Sequence, residues 1–144
     1  MKKDSKRKHL LDTQNITNRD LDILNLLWES STPLTASEIL KKNNELTMNT
    51  IQAVLRKLLR NGYIEVADVV YSGTVLCRSY RPLMSSTEFA LSKITADYMT
   101  YGRNLRKTSL VASLLDAEEN PQQIKADIQD LEDMLAEYKK GIQQ

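Results

Sequence analysis

Residues 46–62, LTMNTIQAVLRKLLRNG, combine a helical pattern of apolar residues with a second face of small polar and basic ones. The apolar residues recur with the spacing of one helical face: Ile51, Val54, Leu55, Leu58 and Leu59. At about 100° per residue, Asn49, Ala53, Arg56 and Arg60 fall together on the opposite face, and Thr50 and Lys57 lie beside them. Thr47 precedes this face as a suitable N-cap, and it completes the set of seven residues expected to contact DNA. Small polar side chains can reach base edges, and basic ones hold phosphates. The pattern predicts a helix that contacts double-stranded DNA; the alternative is an ordinary amphipathic helix with a solvated basic face.

The start of this helix follows a pattern that occurs twice more upstream. Thr17, Thr35 and Thr47 each have the position of an N-cap, with apolar residues at N′ and N4 that form a hydrophobic staple. Asp20 and Glu38 stand at N3 in the first two cases, which predicts capping boxes. The repeated pattern therefore predicts three helices close together in the chain.

The three helices are predicted near 18–29, 36–43 and 46–62, and Gly62 should end the last one in the left-handed conformation. Helices this short, with such brief connections, must cross around one core, as in a helix-turn-helix. After Gly62 the residues become rich in Val, Tyr and Ile, which predicts a β-hairpin with strands near 63–71 and 75–81. The expected fold is mainly α with a small β-hairpin wing: a winged helix-turn-helix.

The last third of the sequence is predicted to form three more helices. They extend to about Tyr101, over about 105–117, and from the cap Asn120 to about Lys140. Apolar residues of the last helix are spaced 4-3-4-3-4, which is typical of a helix-pairing seam. A seam this short fits either an intrachain or an intermolecular contact, and the small closed core that three such helices can build favours dimerisation. The dimerisation residues are expected to be Ile94, Tyr98, Leu114, Ile124, Ile128, Leu131, Leu135 and Tyr138.

Composition excludes several classes of function. The sequence has one cysteine, Cys77, expected in or beside the hairpin, and one histidine, His9, so neither a disulfide nor a thiolate or histidine metal site is expected. We expect no cofactor, no enzymatic activity, no membrane segment and a cytoplasmic protein. Residues 1–82 carry 13 Lys and Arg against 9 Asp and Glu, whereas residues 83–144 carry 7 against 10. A basic front half suggests a polyanionic partner.

These parts predict three regions: a flexible arm at 1–15, a winged-helix DNA-binding domain at 16–83 and a helical dimerisation domain at 84–144. Over about residues 16–140 the sequence resembles the penicillinase-repressor family (BlaI/MecI/CopY type). The strings that carry the resemblance are ITNRDLDILNLLWES, LTASEIL, NTIQAVLRKLLRNGYIE and SYRPLMSSTEF. The resemblance implies a homodimeric repressor that binds a palindromic operator through a helix in each major groove.

By position, the resemblance assigns base reading to Asn49, Thr50 and Ala53, with Arg56 close by. Family members often have proline and lysine where this chain has Met48 and Asn49. Because asparagine favours adenine edges and lysine favours guanine or phosphate, the resemblance does not determine the operator sequence. The tail EYKKGIQQ lacks the cysteines of the copper-responsive branch. Beta-lactam-responsive members are cleaved at an Asn-Phe bond, which aligns with Ser113-Leu114 here. We therefore expect release by another signal, through an unidentified sensor or protease.

Two other functions fit a winged helix. It can serve as a protein-interaction module without specific DNA binding, because fold alone does not determine function. It can also bind DNA without sequence preference, although the modest basic excess argues against that.

Overall fold

A computed structural model describes residues 15–102 and 104–143 and shows a mainly helical chain with a small antiparallel sheet. The six α-helices of these residues are α1 (Asn18–Glu29), α2 (Ala36–Lys42), α3 (Met48–Arg60), α4 (Ser86–Tyr101), α5 (Lys107–Asp116) and α6 (Pro121–Gln143). The strands are β1 (Leu34–Thr35), β2 (Ile64–Ser72) and β3 (Val75–Pro82). The predicted winged helix-turn-helix is confirmed. Except for Asn15, the predicted arm lies outside the described residues.

The caps form as their residue types predict. In α1, the Asp20 amide donates to Thr17 Oγ1 over 3.2 Å, and the Thr17 amide donates to Asp20 Oδ2 over 2.9 Å. Thr35 and Glu38 make the same pair of hydrogen bonds at the start of α2. Gly62 has φ 81°, the left-handed conformation expected just after α3. Local sequence therefore determines where these three helices begin and where the third ends.

The sheet has the order β1-β3-β2, with both pairings antiparallel. β2 and β3 form the predicted hairpin around Gly73, and a bulge interrupts their register between Val66 and Asp68. β1 was not predicted, because two residues are too few for an alternating pattern. It exists through pairing with β3, in which Leu34 lies opposite Tyr80.

The core lies where α1, α2, α3 and the base of the hairpin meet. Its fully buried side chains include Ile23, Leu24, Ile39, Ile51, Leu58, Tyr63 and Ile64. The start of α4 joins this core through Phe89, whose ring centroid lies 5.4 Å from that of Trp28 and 5.7 Å from that of Tyr63. Trp28 Nε1 donates to the Met84 carbonyl over 2.9 Å, which ties α1 to the segment before α4.

The chain divides into two compact units, one that ends at Thr100 and one that begins at Tyr101. The second unit contains α5 and α6, and no described side chain of either helix is buried. The predicted domain limits, with a boundary after residue 83, stay a prediction.

We expect Ile51→Ala to lower the free energy of unfolding by about 2–5 kcal/mol, because Ile51 is fully buried and its truncation leaves a cavity beneath α3. Gln52→Ala is the matched control: Gln52 is the next residue on the same helix, it is exposed, and its loss should change the free energy by less than about 0.5 kcal/mol. Urea titration of both variants measures the difference. Equal losses would contradict the orientation of α3.

Candidate nucleic-acid interface

The buried residues of α3 determine which of its side chains face outward. Ile51, Val54, Leu55 and Leu58 are all buried in the core. On the other side, Thr47, Asn49, Ala53, Arg56 and Arg60 are exposed, and Thr50 and Lys57 are half-buried. The structure thus brings six of the seven residues predicted to contact DNA onto one side of α3, and the seventh, Thr47, is its N-cap. We call these seven residues the outer face of α3.

The first turn of the outer face carries short polar side chains held by local hydrogen bonds. The Thr50 amide donates to Thr47 Oγ1 over 3.1 Å, and the Thr47 hydroxyl donates to Thr50 Oγ1 over 2.9 Å. Within the described part of the chain, the side-chain amide of Asn49 has no hydrogen-bond partner. Its NH₂ donor and its carbonyl acceptor therefore both face solvent. A helix whose first turn carries short side chains, one of them an unpaired side-chain amide, can approach the edges of bases.

The end of the outer face carries cations in two different states. Arg56 donates from Nε to the Gln52 carbonyl over 3.3 Å, which leaves the rest of its guanidinium exposed, and Arg60 is exposed as well. Lys57 is engaged instead: its Nζ lies 2.5 Å from Asp20 Oδ2 and 2.9 Å from the Asn15 carbonyl. The sequence assigned Lys57 to DNA and assigned Asp20 only to a cap. The sequence shows Asp20 only as a carboxylate near the start of a helix. The pairing with Lys57 becomes visible only where α1 and α3 cross.

A cleft of about 470 Å³ lies between α3, the start of α2 and β3. Arg56 and Arg78 line it, together with an apolar floor that includes Leu55 and Leu76, and no carboxylate is among its lining residues. Cys77, half-buried on β3, also lines it, which agrees with its predicted place in the hairpin. The sequence analysis did not include Arg78 among the DNA-contacting residues, because a single basic residue within a predicted strand does not indicate a binding site. The hairpin adds this cation to those at the outer face of α3.

The residues predicted for dimerisation are distributed over three helices. Ile94 and Tyr98 lie on α4, Leu114 on α5, and the other five on α6: Ile124, Ile128, Leu131, Leu135 and Tyr138. Within the second unit, α5 and α6 enclose a cleft of about 330 Å³ that brings Leu114 and Leu131 together. Farther along α6, Leu135 is 56% exposed and Tyr138 is 67% exposed. The seam is therefore a largely open apolar surface in the single chain.

Ser113 and Leu114, which align with the cleaved bond of the beta-lactam-responsive regulators, lie inside α5 and are both exposed in the single chain. Among residues 15–102 and 104–143, no group of three His, Cys, Asp or Glu side chains could hold a metal ion. No helix in the same ranges has the length and apolarity needed to span a membrane.

Solved structures provide one comparison of the fold. The Orc1 protein of Aeropyrum pernix, solved in complex with DNA, matches 72% of this chain with a TM-score of 0.50 and 12% identity. This chain spans 30% of that protein's length, and the likeness shows a shared fold only.

MepR of S. aureus also matches, in two mutant forms. A mutant from a multidrug-resistant clinical isolate is 23% identical over 94% of this chain and 89% of its own, with a TM-score of 0.45. A second mutant, bound to an oligodeoxyribonucleotide, is 22% identical over 93% and 88%, with a TM-score of 0.46.

Comparison at the level of sequence identifies the family. A search of curated proteins found no significant match. A family model described as penicillinase repressor matches residues 16–137, which include the three-helix core, the hairpin, α4, α5 and most of α6. This match covers well over half of the chain and confirms the resemblance drawn from the sequence. The chain therefore belongs to the penicillinase repressor family, a family of DNA-binding transcriptional regulators.

Proposed function

We propose that the protein is a sequence-specific transcriptional repressor that binds a palindromic operator as a homodimer. The observation that carries the proposal is the outer face of α3, which has short polar residues at its start, exposed arginines at its end and no carboxylate anywhere along Met48–Arg60. A carboxylate there would repel phosphates, and bulky residues at the first turn would keep the helix from the base edges. Repression would follow when the bound protein covers a promoter.

Within this face, Asn49 is the residue best suited to read a base. Its side-chain amide has a donor and an acceptor that match the edge of adenine in the major groove. Thr50 and Ala53 lie next to it along the helix and are small enough to let the helix approach the bases. Arg56 and Arg60, farther along, are positioned to hold the phosphate backbone on the side of the groove.

The homodimer is supported by the surface of α6. Six apolar residues of this 23-residue helix follow the 4-3-4-3-4 spacing, and those at its end, such as Tyr138 and Ile142, are largely exposed. Exposed apolar side chains at this spacing are suited to pair with the same helix of a second copy. A dimer with two-fold symmetry would present two α3 helices to half-sites about one DNA turn apart, which requires a palindromic operator.

Arg60→Ala should weaken binding to most DNA sequences and reduce the slope of log affinity against log salt by about 0.9, because one phosphate contact no longer releases counterions. Gel-shift titration at several salt concentrations measures the slope. Arg106→Ala, which removes an exposed arginine from the second unit, is the control and should keep the wild-type slope. An unchanged slope for Arg60→Ala would contradict its assignment as a phosphate contact.

Asn49→Ala should lose discrimination at a single base pair, by about 1–3 kcal/mol, while binding to sequences already mismatched there changes little. Selection of bound fragments from a random DNA pool by each variant shows which position has relaxed. Asn44→Ala, an exposed asparagine in the turn before α3, is the control and should return the wild-type consensus. A consensus unaltered by Asn49→Ala would remove Asn49 from the base-reading set.

Leu131→Asp should convert the dimer into monomers, because it places a charge within the apolar seam of α6. Sedimentation should show the change, and operator affinity should fall by about 10²-fold or more because the two half-sites are no longer linked. Ala126→Asp adds the same charge to the same helix at an exposed position outside the seam and should leave the dimer intact. If Leu131→Asp remains dimeric, the seam is not the interface.

A further inference from the structure

One ion pair crosses from α3 to α1, next to the cations of the outer face. Lys57 Nζ lies 2.5 Å from Asp20 Oδ2, with the Lys57 side chain 27% exposed and the Asp20 side chain 3% exposed. The ammonium also donates to the Asn15 carbonyl over 2.9 Å. Two acceptors of the protein thus hold a cation on the helix that carries Arg56 and Arg60.

The environment of Asp20 explains why this contact is strong. Its Oδ2 accepts from the Thr17 amide as well as from Lys57, so one carboxylate both caps α1 and holds the lysine. A carboxylate removed from water requires a partner of opposite charge, since an unpaired buried charge is costly. Moving Lys57 to a DNA phosphate would leave Asp20 buried with its cap hydrogen bond and no cation.

The two arginines on either side of Lys57 have no such restraint. Arg56 uses one N–H for a carbonyl of its own helix, and Arg60 is exposed. Neither makes an ion pair within the described residues, so both keep a full charge for a partner outside the protein. The outer face of α3 therefore contains two free cations and one neutralised cation.

We propose that Asp20 is a positioning residue that withdraws Lys57 from DNA, so that α3 uses Arg56 and Arg60, and not Lys57, to hold phosphates. This inference rests on the proposed DNA-binding function and refines it. The neutral pair releases no counterions when DNA binds, because its charge is already compensated inside the protein. It instead joins Lys57 of α3 to the start of α1.

The salt dependence of DNA binding tests this role, because a purely structural effect of the ion pair would not change the number of phosphate contacts. The wild-type protein is compared with Lys57→Gln, Arg60→Gln and Asp20→Asn on one duplex fragment that the wild-type protein selects from a random DNA pool. Arg60→Gln should reduce the slope by about 0.9, whereas Lys57→Gln should keep the wild-type slope. Asp20→Asn retains an oxygen that accepts from the Thr17 amide but removes the charge that holds the Lys57 ammonium. Lys57 can then contact a phosphate, so the slope of log affinity against log salt should steepen by about 0.9.

Two further variants separate this effect from general ones. Asp22→Asn removes a negative charge from an exposed position on the same helix and should keep the wild-type slope. The double variant Asp20→Asn/Lys57→Gln should also return to the wild-type slope, because the added contact of Asp20→Asn is then absent. Urea unfolding of every variant confirms that each is folded at the temperature of the titration.

The inference is overturned if Lys57→Gln loses slope as Arg60→Gln does, or if Asp20→Asn matches Asp22→Asn. Failure of the proposed function would look different: the wild-type protein would bind the selected fragment no more tightly than a scrambled duplex of the same length, or would not bind DNA at all, whatever the slopes of the variants.

Discussion

Burial of the apolar side of α3 is the constraint on which the candidate interface depends. Ile51, Leu55 and Leu58 lie in the core formed with α1 and α2, so the helix cannot rotate without exposing them to water. At roughly 1.5–3 kcal/mol for each buried aliphatic side chain, such a rotation costs more than any contact of the outer face would return. The direction of Asn49 and Arg60 is thus determined by residues that never contact a partner.

The core also limits which polar groups can lie beside it. Asp20 follows directly after the chain enters α1, and its carboxylate is almost fully removed from solvent. Such a group is retained only where hydrogen bonds and an opposite charge surround it, and the crossing of α1 and α3 supplies both. The same contact joins the first described residue, Asn15, to the helix proposed to bind DNA.

The second unit presents the opposite situation, since its helices lack a core of their own. No described side chain of α5 or α6 is buried, although both helices carry apolar residues at regular spacing. A unit of about forty residues buries little apolar surface and usually needs a metal, disulfides or oligomerisation to be stable. The proposed dimer would supply that stability, because pairing of α6 with a second copy would remove its exposed apolar residues from water.

Local sequence alone determined where most elements begin and end. Thr17, Thr35 and Thr47 cap three helices, Gly62 ends the third, and the hairpin turns at Gly73, because these features depend on residues close together in the chain. The 3.6-residue period likewise identified the outer face of α3, and the strings of the family were readable without coordinates. A short-range pattern suffices for such features, since their hydrogen bonds close within one helical turn or one hairpin.

The tertiary structure decided what depends on contacts between distant residues. β1 exists because β3 pairs with it, and two residues in isolation carry no strand signal. The sequence placed Lys57 with Arg56 and Arg60, and only the crossing of α1 over α3 shows that a carboxylate 37 residues earlier already holds it. Arg78 and Arg56 line one cleft because β3 and α3 both border it. The sequence determines which residues are charged. Whether each charge is paired inside the protein depends on which groups the fold brings close to it.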